Sequence, residues 1–124
     1  MENGETAIIE STFFGFEDHG CLTFSLHIEQ NHSYQGMGGY SIGVGHRSRA
    51  KVEDIVGSKC GTEAMARIMW AVGVNSWEEL KGKYCRIKRE TNSWNAPITS
   101  IGHIVDDKWF NLQKYMEDYS KNNN

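Results

Sequence analysis

Cationic side chains concentrate in two short stretches of the chain. The first holds His46, Arg47, Arg49 and Lys51, and the second holds Lys81, Lys83, Arg86, Lys88 and Arg89. The planar guanidinium of arginine suits the oxygens of a phosphate group, so either stretch is a candidate anion site. The alternative is a solvated sheet face, or charges that protect an edge strand from aggregation. The sequence leaves both interpretations open.

Other groups that suit a nucleotide lie near these cations. Trp94, in a polar turn with Asn92, can stack on a base while amides read its edge. The glycine-rich segment 36–39, which includes Met37 and Gly38, leaves the backbone bare for the approach of phosphates. A carboxylate such as Asp106 or Asp107 can accept from ribose hydroxyls. These residue types predict a binding site for a polar, anionic ligand.

Residues for catalysis or metal binding are poorly supported. No two of the five histidines have His-x-x-x-His spacing, and the three cysteines form no Cys-x-x-Cys pair. We therefore expect no metal, no cofactor and no disulfide framework. Cys85 alternates with Ile87 and is predicted to lie in the core. Cys60 lies near the start of a helix, which could lower the pKa of its thiol. Burial as an inert thiol is the preferred interpretation.

Length and charge limit the class of protein. The chain has 124 residues, which predicts a single domain over 1–124 with a frayed tail at 121–124. Its formal net charge of -3 argues against a partner that is a polymeric nucleic acid. A polar, acidic start and the absence of an apolar run of about 20 residues predict a soluble, intracellular protein without a membrane partner.

Hydrophobic periodicity predicts an α+β fold. Strict alternation over Cys21–Glu29 predicts a strand, paired as a hairpin with Thr6–Phe14. The helix expected over Thr62–Val72 is capped by Thr62 and stopped by Gly73. The further expected elements are strands over Gln35–Ile42, Tyr84–Arg89 and Ile98–Val105, a short helix from a Ser76–Glu79 capping box to Gly82, and a C-terminal helix containing Trp109, Leu112, Tyr115, Met116 and Tyr119. This order favours a small antiparallel sheet with helices packed on it.

A run of ordered segments resembles a known family. The segments are Phe13–Gly20, Leu22–Leu26, Gly36–Tyr40, Gly61–Met65, Val72–Val74, Ser76–Lys83, Ile101–Ile104 and Asp107–Phe110. They resemble the first-described type of phage anti-Thoeris protein, a family of cyclic-nucleotide sponges, over about Ile9 to Phe110. The resemblance implies that the chain binds the signal glycocyclic ADP-ribose without degrading it, in the cytoplasm of the infected bacterial host. It also implies possible binding of cyclic di- or trinucleotides at separate sites.

The resemblance further implies dimers or hexamers, with helices at the oligomer interface, and no enzymatic activity. It points to Asn92 and to aromatic residues near Phe16, while the remaining candidates follow from their chemistry. The candidate ligand-binding residues are Asn92, Phe16, His19, Met37, Gly38, Arg47, Arg86, Arg89, Trp94 and Asp106. None of them is assigned a catalytic role.

Two other functions remain open at this stage. The first is an enzyme that cleaves the same nucleotide with His19 or His103 as general base. The second is an inhibitor of a host protein that acts through the aromatic residues of Phe13–Phe16, because three phenylalanines so close together cannot all face the core.

Overall fold

Seven antiparallel strands form one sheet in the computed structural model, which describes residues 4–17, 20–44 and 51–122. The strands are β1 (Glu5–Glu17), β2 (Cys21–Gln30), β3 (Ser33–Val44), β4 (Val56–Gly57), β5 (Tyr84–Arg89), β6 (Ile98–Gly102) and β7 (Trp109–Asn111). Their order in the sheet is β4-β3-β2-β1-β5-β6-β7. Helices α1 (Lys59–Val72) and α2 (Leu112–Asn122) pack on this sheet. The predicted α+β fold is therefore confirmed.

The predicted alternation of β2 is seen in its burial. Phe24, Leu26 and Ile28 are buried, whereas His27 is exposed. Because paired residues of antiparallel strands lie on the same face, the partner of Leu26 in β3, Met37, joins the same core. A two-residue turn joins β2 to β3, and Asn31 and His32 both have positive φ angles of 53° and 66° there. This backbone matches the twist of a tight hairpin.

Strand β1 is longer than predicted and has one open side. An irregularity at Glu10 shifts its register with β2, which is typical of a β-bulge. On the other side β1 pairs with β5 only over Glu5–Ile8, and the Ile9 N–H then donates to the Lys83 carbonyl at 2.9 Å. From Ser11 to Glu17, β2 is the only described strand paired with β1. This stretch is an edge strand.

Helix α1 begins three residues before the predicted start. Ser58, not Thr62, is the N-cap, and its Oγ accepts from the Gly61 N–H at 2.9 Å. The Thr62 hydroxyl instead donates to the Ser58 carbonyl. The predicted stop is correct, because Gly73 takes the left-handed conformation with φ of 94°. The sequence pattern missed this start because Gly61 is a poor helix former, yet it packs directly against Ile42.

The Ser76–Glu79 segment forms one 3-10 helix, Trp77–Leu80, which ends before the predicted Gly82. The expected capping box is wrong in detail. The Ser76 hydroxyl donates to the Glu79 carboxylate at 3.0 Å, and no side-chain cap forms on the helix backbone. The Asn75 N–H donates to the same carboxylate at 3.2 Å. Glu79 therefore ties down the loop before the helix.

The C-terminal helix starts later than predicted. Trp109 lies in β7, where it pairs with Gly102, the last residue of β6, rather than in a helix. A Cβ at Gly102 would lie 2.6 Å from the Trp109 ring, so glycine makes room for the indole. The Asn111 side chain accepts from the Lys114 N–H at 2.8 Å at the start of α2. The short strand β4, which pairs with β3 at Gly43 and Val44, was not predicted.

Candidate functional site

A cleft of about 410 Å³ opens where the β2–β3 turn meets the loop between β5 and β6. The Gln35 side chain joins the two elements by donating from Nε2 to the Ala96 carbonyl at 3.0 Å. The cleft is lined by Ile28, Gln30, Asn31, Ser33, Tyr34, Gln35, Arg89, Trp94, Asn95 and Ile98. Its volume falls in the range of about 300–1,000 Å³ that is usual for small-molecule sites.

Arg89 lies at the base of this cleft with a side chain only 5% exposed. Its Nη1 donates to the Gln35 side-chain oxygen and to the Ala96 carbonyl, and its Nη2 donates to the Gln30 side-chain oxygen at 2.9 Å. Its Nε lies 3.4 Å from a carboxylate oxygen of Glu5. The guanidinium therefore ties together β1, β2, β3 and the β5–β6 loop.

The upper part of the cleft is aromatic. Tyr34 is 65% exposed and Trp94 is 73% exposed, and both line the opening. Their rings offer flat apolar faces on which a planar group can stack. The buried side chains of Ile28 and Ile98 continue this apolar surface at the sheet.

Local hydrogen bonds shape the β5–β6 loop that carries Trp94. The Ser93 N–H donates to the Thr91 hydroxyl at 3.3 Å, and the Ala96 N–H donates to the Ser93 carbonyl at 3.1 Å. The Ser93 hydroxyl also donates to the Asn95 side-chain oxygen. Short polar side chains that bond their own backbone favour turns of this kind.

The structure brings only some of the predicted residues together. Arg89 and Trp94 line the cleft, and Asn92 is exposed on the same loop but outside the lining. His19 and Arg47 lie outside the described residues. Phe16 is exposed near the other end of β1, 40% accessible to water.

Arg86 and Asp106, two further candidates from the sequence, belong to a different part of the molecule. The Arg86 guanidinium donates from Nε to the His103 carbonyl at 2.7 Å and from Nη2 to the Asp106 carbonyl at 2.8 Å. It also stacks on Trp109, with Cζ 4.9 Å from the ring centroid. These contacts give Arg86 a structural role in holding the β6–β7 loop.

Met37 and Gly38 also serve the fold. Met37 is 4% exposed and packs in the core. Gly38 has a φ of 108°, and a Cβ there would lie 2.8 Å from the Phe24 carbonyl. The glycine therefore allows a close contact between β3 and β2 rather than access for a phosphate.

The sequence did not predict four residues in or next to the cleft, which are Glu5, Gln30, Tyr34 and Gln35. A usable signal existed for Gln35, because it follows the alternation of β3 onto the face of Met37. A polar residue at a core position needs partners, which points to a polar cluster. No comparable pattern marks Glu5, whose role depends on Arg89 being 84 residues away in sequence but adjacent in space.

A second cavity of about 490 Å³ lies between β3, the start of α1 and α2. It is lined by Tyr40, Ser41, Ser58, Cys60, Met116, Glu117, Tyr119 and Ser120. Burial raises the pKa of Tyr40, and the Glu117 carboxylate adds to this effect. No arginine, lysine or histidine lines this cavity among the described residues, so it is a poor site for an anion.

The cysteines and the histidine considered for nucleophilic or acid–base chemistry, Cys60, Cys85 and His103, are in environments that do not favour that chemistry. Burial raises the pKa of the Cys85 thiol to about 12. Burial also raises the pKa of Cys60, and Glu63 adds to the effect, so the lowered pKa considered for Cys60 is wrong. Both thiols are protonated at neutral pH and are weak nucleophiles. The Nδ1 of His103 accepts from the N–H groups of Val105 and Asp106 at 3.1 and 2.9 Å.

Comparison with known proteins gives no further identification. The chain matches no family model, no curated protein and no solved structure. The family resemblance therefore stays a prediction. Within residues 4–17, 20–44 and 51–122, no three His, Cys, Asp or Glu side chains are grouped so that they can hold a metal ion. Neither helix of that part of the chain is long and apolar enough to cross a membrane.

Proposed function

We propose that this chain binds a cyclic nucleotide and sequesters it intact. The observation that carries the proposal is the cleft with two exposed aromatic rings, Tyr34 and Trp94, above a polar base. Nucleotides are bound by stacking on such rings and by hydrogen bonds from nearby amides. The family resemblance supplies the identity of the ligand, which is glycocyclic ADP-ribose.

Sequestration of this signal prevents activation of the Thoeris effector in the cytoplasm of the infected bacterium. The protein acts as a dimer or hexamer, and cyclic di- or trinucleotides are possible further ligands at separate sites.

The state of the candidate nucleophiles and of His103 supports binding without turnover. Cys60 and Cys85 are protonated thiols at neutral pH, and the His103 Nδ1 is occupied by two backbone donors.

The release of bound ligand tests this function. The protein is incubated with glycocyclic ADP-ribose, separated from free ligand and heated, and the released compound is identified by chromatography and mass spectrometry. We expect the intact cyclic nucleotide. A cleaved product would contradict sequestration and would favour the enzyme hypothesis, for which His19 is then the base to replace first. Failure to retain any nucleotide would favour the hypothesis of a host-protein inhibitor.

Replacement of Asn92 by alanine is expected to weaken binding of the cyclic nucleotide by about fivefold, because one hydrogen bond contributes about 1 kcal/mol. Asn92 is exposed on the loop that carries Trp94, so the substitution leaves the core untouched. Asn75→Ala, at another exposed loop position, is the matched control. Calorimetry gives both Kd values, and equal values would show that Asn92 makes no contact with the ligand.

A further inference from the structure

We infer that the cleft takes the neutral, planar base of the nucleotide and leaves its phosphates outside. This inference rests on the proposed function and concerns the same site. It reverses the expectation that the arginine at this position binds a phosphate. The reason lies in the charge balance and in the hydrogen bonds at the base of the cleft.

The only cation that lines the cleft among the described residues is already neutralised. The Glu5 carboxylate lies 3.4 Å from the Arg89 Nε, so the two charges of the pair cancel. The two terminal nitrogens of the guanidinium donate to Gln30, Gln35 and the Ala96 carbonyl. Three of the five guanidinium N–H groups are used in this way, and the buried Nε, which makes no hydrogen bond among the described residues, faces the Glu5 carboxylate, so a phosphate would have to compete with Glu5 for Arg89.

A phosphate that entered the cleft would therefore lose water without gaining a counter-ion. Removal of a charged group from water is costly unless a partner charge or several hydrogen bonds replace the water. The other lining residues in the part of the chain that the structure describes carry amides, hydroxyls, aromatic rings and two isoleucine side chains, without a lysine or histidine. Arg86, the other arginine predicted for the site, donates to backbone carbonyls and is absent from the lining.

The same lining suits a neutral heterocycle. Stacking of a base on an aromatic side chain contributes about 1–3 kcal/mol, and Tyr34 and Trp94 both present exposed rings. Asn31 and Asn95 also line the cleft, and the Asn95 side-chain oxygen already accepts from the Ser93 hydroxyl. An amide offers both a donor and an acceptor, as the edge of adenine requires.

Adenosine and inorganic pyrophosphate are used as probes, the first for the base of the nucleotide and the second for its phosphates. In a ¹H–¹⁵N spectrum of the whole protein, each of the four tryptophans gives one indole N–H signal. We expect adenosine to shift the Trp94 signal and pyrophosphate to leave it unchanged. Raising the salt concentration from 50 to 500 mM should change the adenosine affinity by less than about twofold, because no ion pair forms.

Substitutions of two exposed tryptophans test whether the base stacks on Trp94. Trp94→Leu should weaken adenosine binding by about 5- to 150-fold, which corresponds to the stacking energy. Trp70→Leu is the matched control, because Trp70 is also exposed, at 54%, but lies on α1 outside the cleft. Displacement of adenosine by pyrophosphate, or an unchanged affinity in Trp94→Leu, would overturn the inference.

The results also distinguish this inference from the proposed function. If the protein retains glycocyclic ADP-ribose but adenosine neither binds nor competes, the assignment of the base to the cleft is wrong and sequestration stands. If adenosine binds at Trp94 but no cyclic nucleotide is retained, the cleft is a base-binding site and the proposed function is wrong.

Discussion

Replacing Arg89 by methionine is expected to lower the free energy of unfolding by about 3 kcal/mol, although the substitution keeps a long side chain. The guanidinium is 5% exposed and is the common partner of Glu5, Gln30, Gln35 and Ala96. Its removal leaves the side-chain oxygens of Gln30 and Gln35 without their arginine donor. It also leaves the Glu5 carboxylate, which still accepts from the Gln30 Nε2 at 2.9 Å, without its counter-charge. The effect lies at the lower end of the usual range because the Glu5 side chain keeps 23% exposure to water.

Urea unfolding of the variant and of a matched surface arginine measures this effect. Arg67 also faces a glutamate, Glu63, at 3.7 Å, but its side chain is 50% exposed. Arg67→Met should therefore cost less than about 1 kcal/mol. Replacing both charges, in Glu5→Leu with Arg89→Met, should recover part of the loss. Equal effects of Arg67→Met and Arg89→Met would show that the buried network adds nothing to stability.

Phe24→Ala is the second large effect that we expect, with a loss of about 3–5 kcal/mol in the free energy of unfolding. Phe24 is fully buried, and its ring meets Trp77 edge-on with centroids 5.8 Å apart. Alanine leaves a cavity between β2 and the 3-10 helix. The same substitution also removes the aromatic contact of an indole whose Nε1 is buried without a hydrogen-bond acceptor among the described residues.

The chain offers an unusually close control for this experiment. Phe14 is the direct partner of Phe24 across β1 and β2, yet it is 52% exposed. Phe14→Ala should change the free energy of unfolding by less than about 1 kcal/mol. Thermal or urea unfolding compares the two variants. A loss at Phe14 as large as that at Phe24 would mean that Phe14 is covered in the assembled protein.

Elements with a strong local pattern were predictable from the sequence. The alternation of β2 and the glycine stop of α1 are local signals, and both agree with the structure. Trp109 was misassigned because its apolar spacing with Leu112 and Met116 fits a helix. Trp109 instead lies in β7 because its ring packs against its cross-strand partner Gly102, which has no side chain to block it. This contact is not visible in the local sequence pattern.

The candidate site was less predictable for the same physical reason. Trp94 and Arg89 carry chemistry that is recognisable in sequence, and both line the cleft. The state of Arg89 depends on Glu5, Gln30 and Gln35, which come from three other strands. No spacing rule relates these positions, so the sequence suggested a phosphate ligand for a guanidinium whose charge is already balanced.

Because β1 has an edge stretch, its backbone amides on the two sides of the strand should exchange with deuterium at different rates. Alternate N–H groups between Ser11 and Glu17 point to β2, and the intervening ones point away from it. Amides bonded to β2 exchange with deuterium only when the strand opens, whereas those that face outward exchange from the native state. A period of two in the exchange rates would therefore mark this edge as bare. Its loss on self-association would mark the edge as the surface that another strand covers.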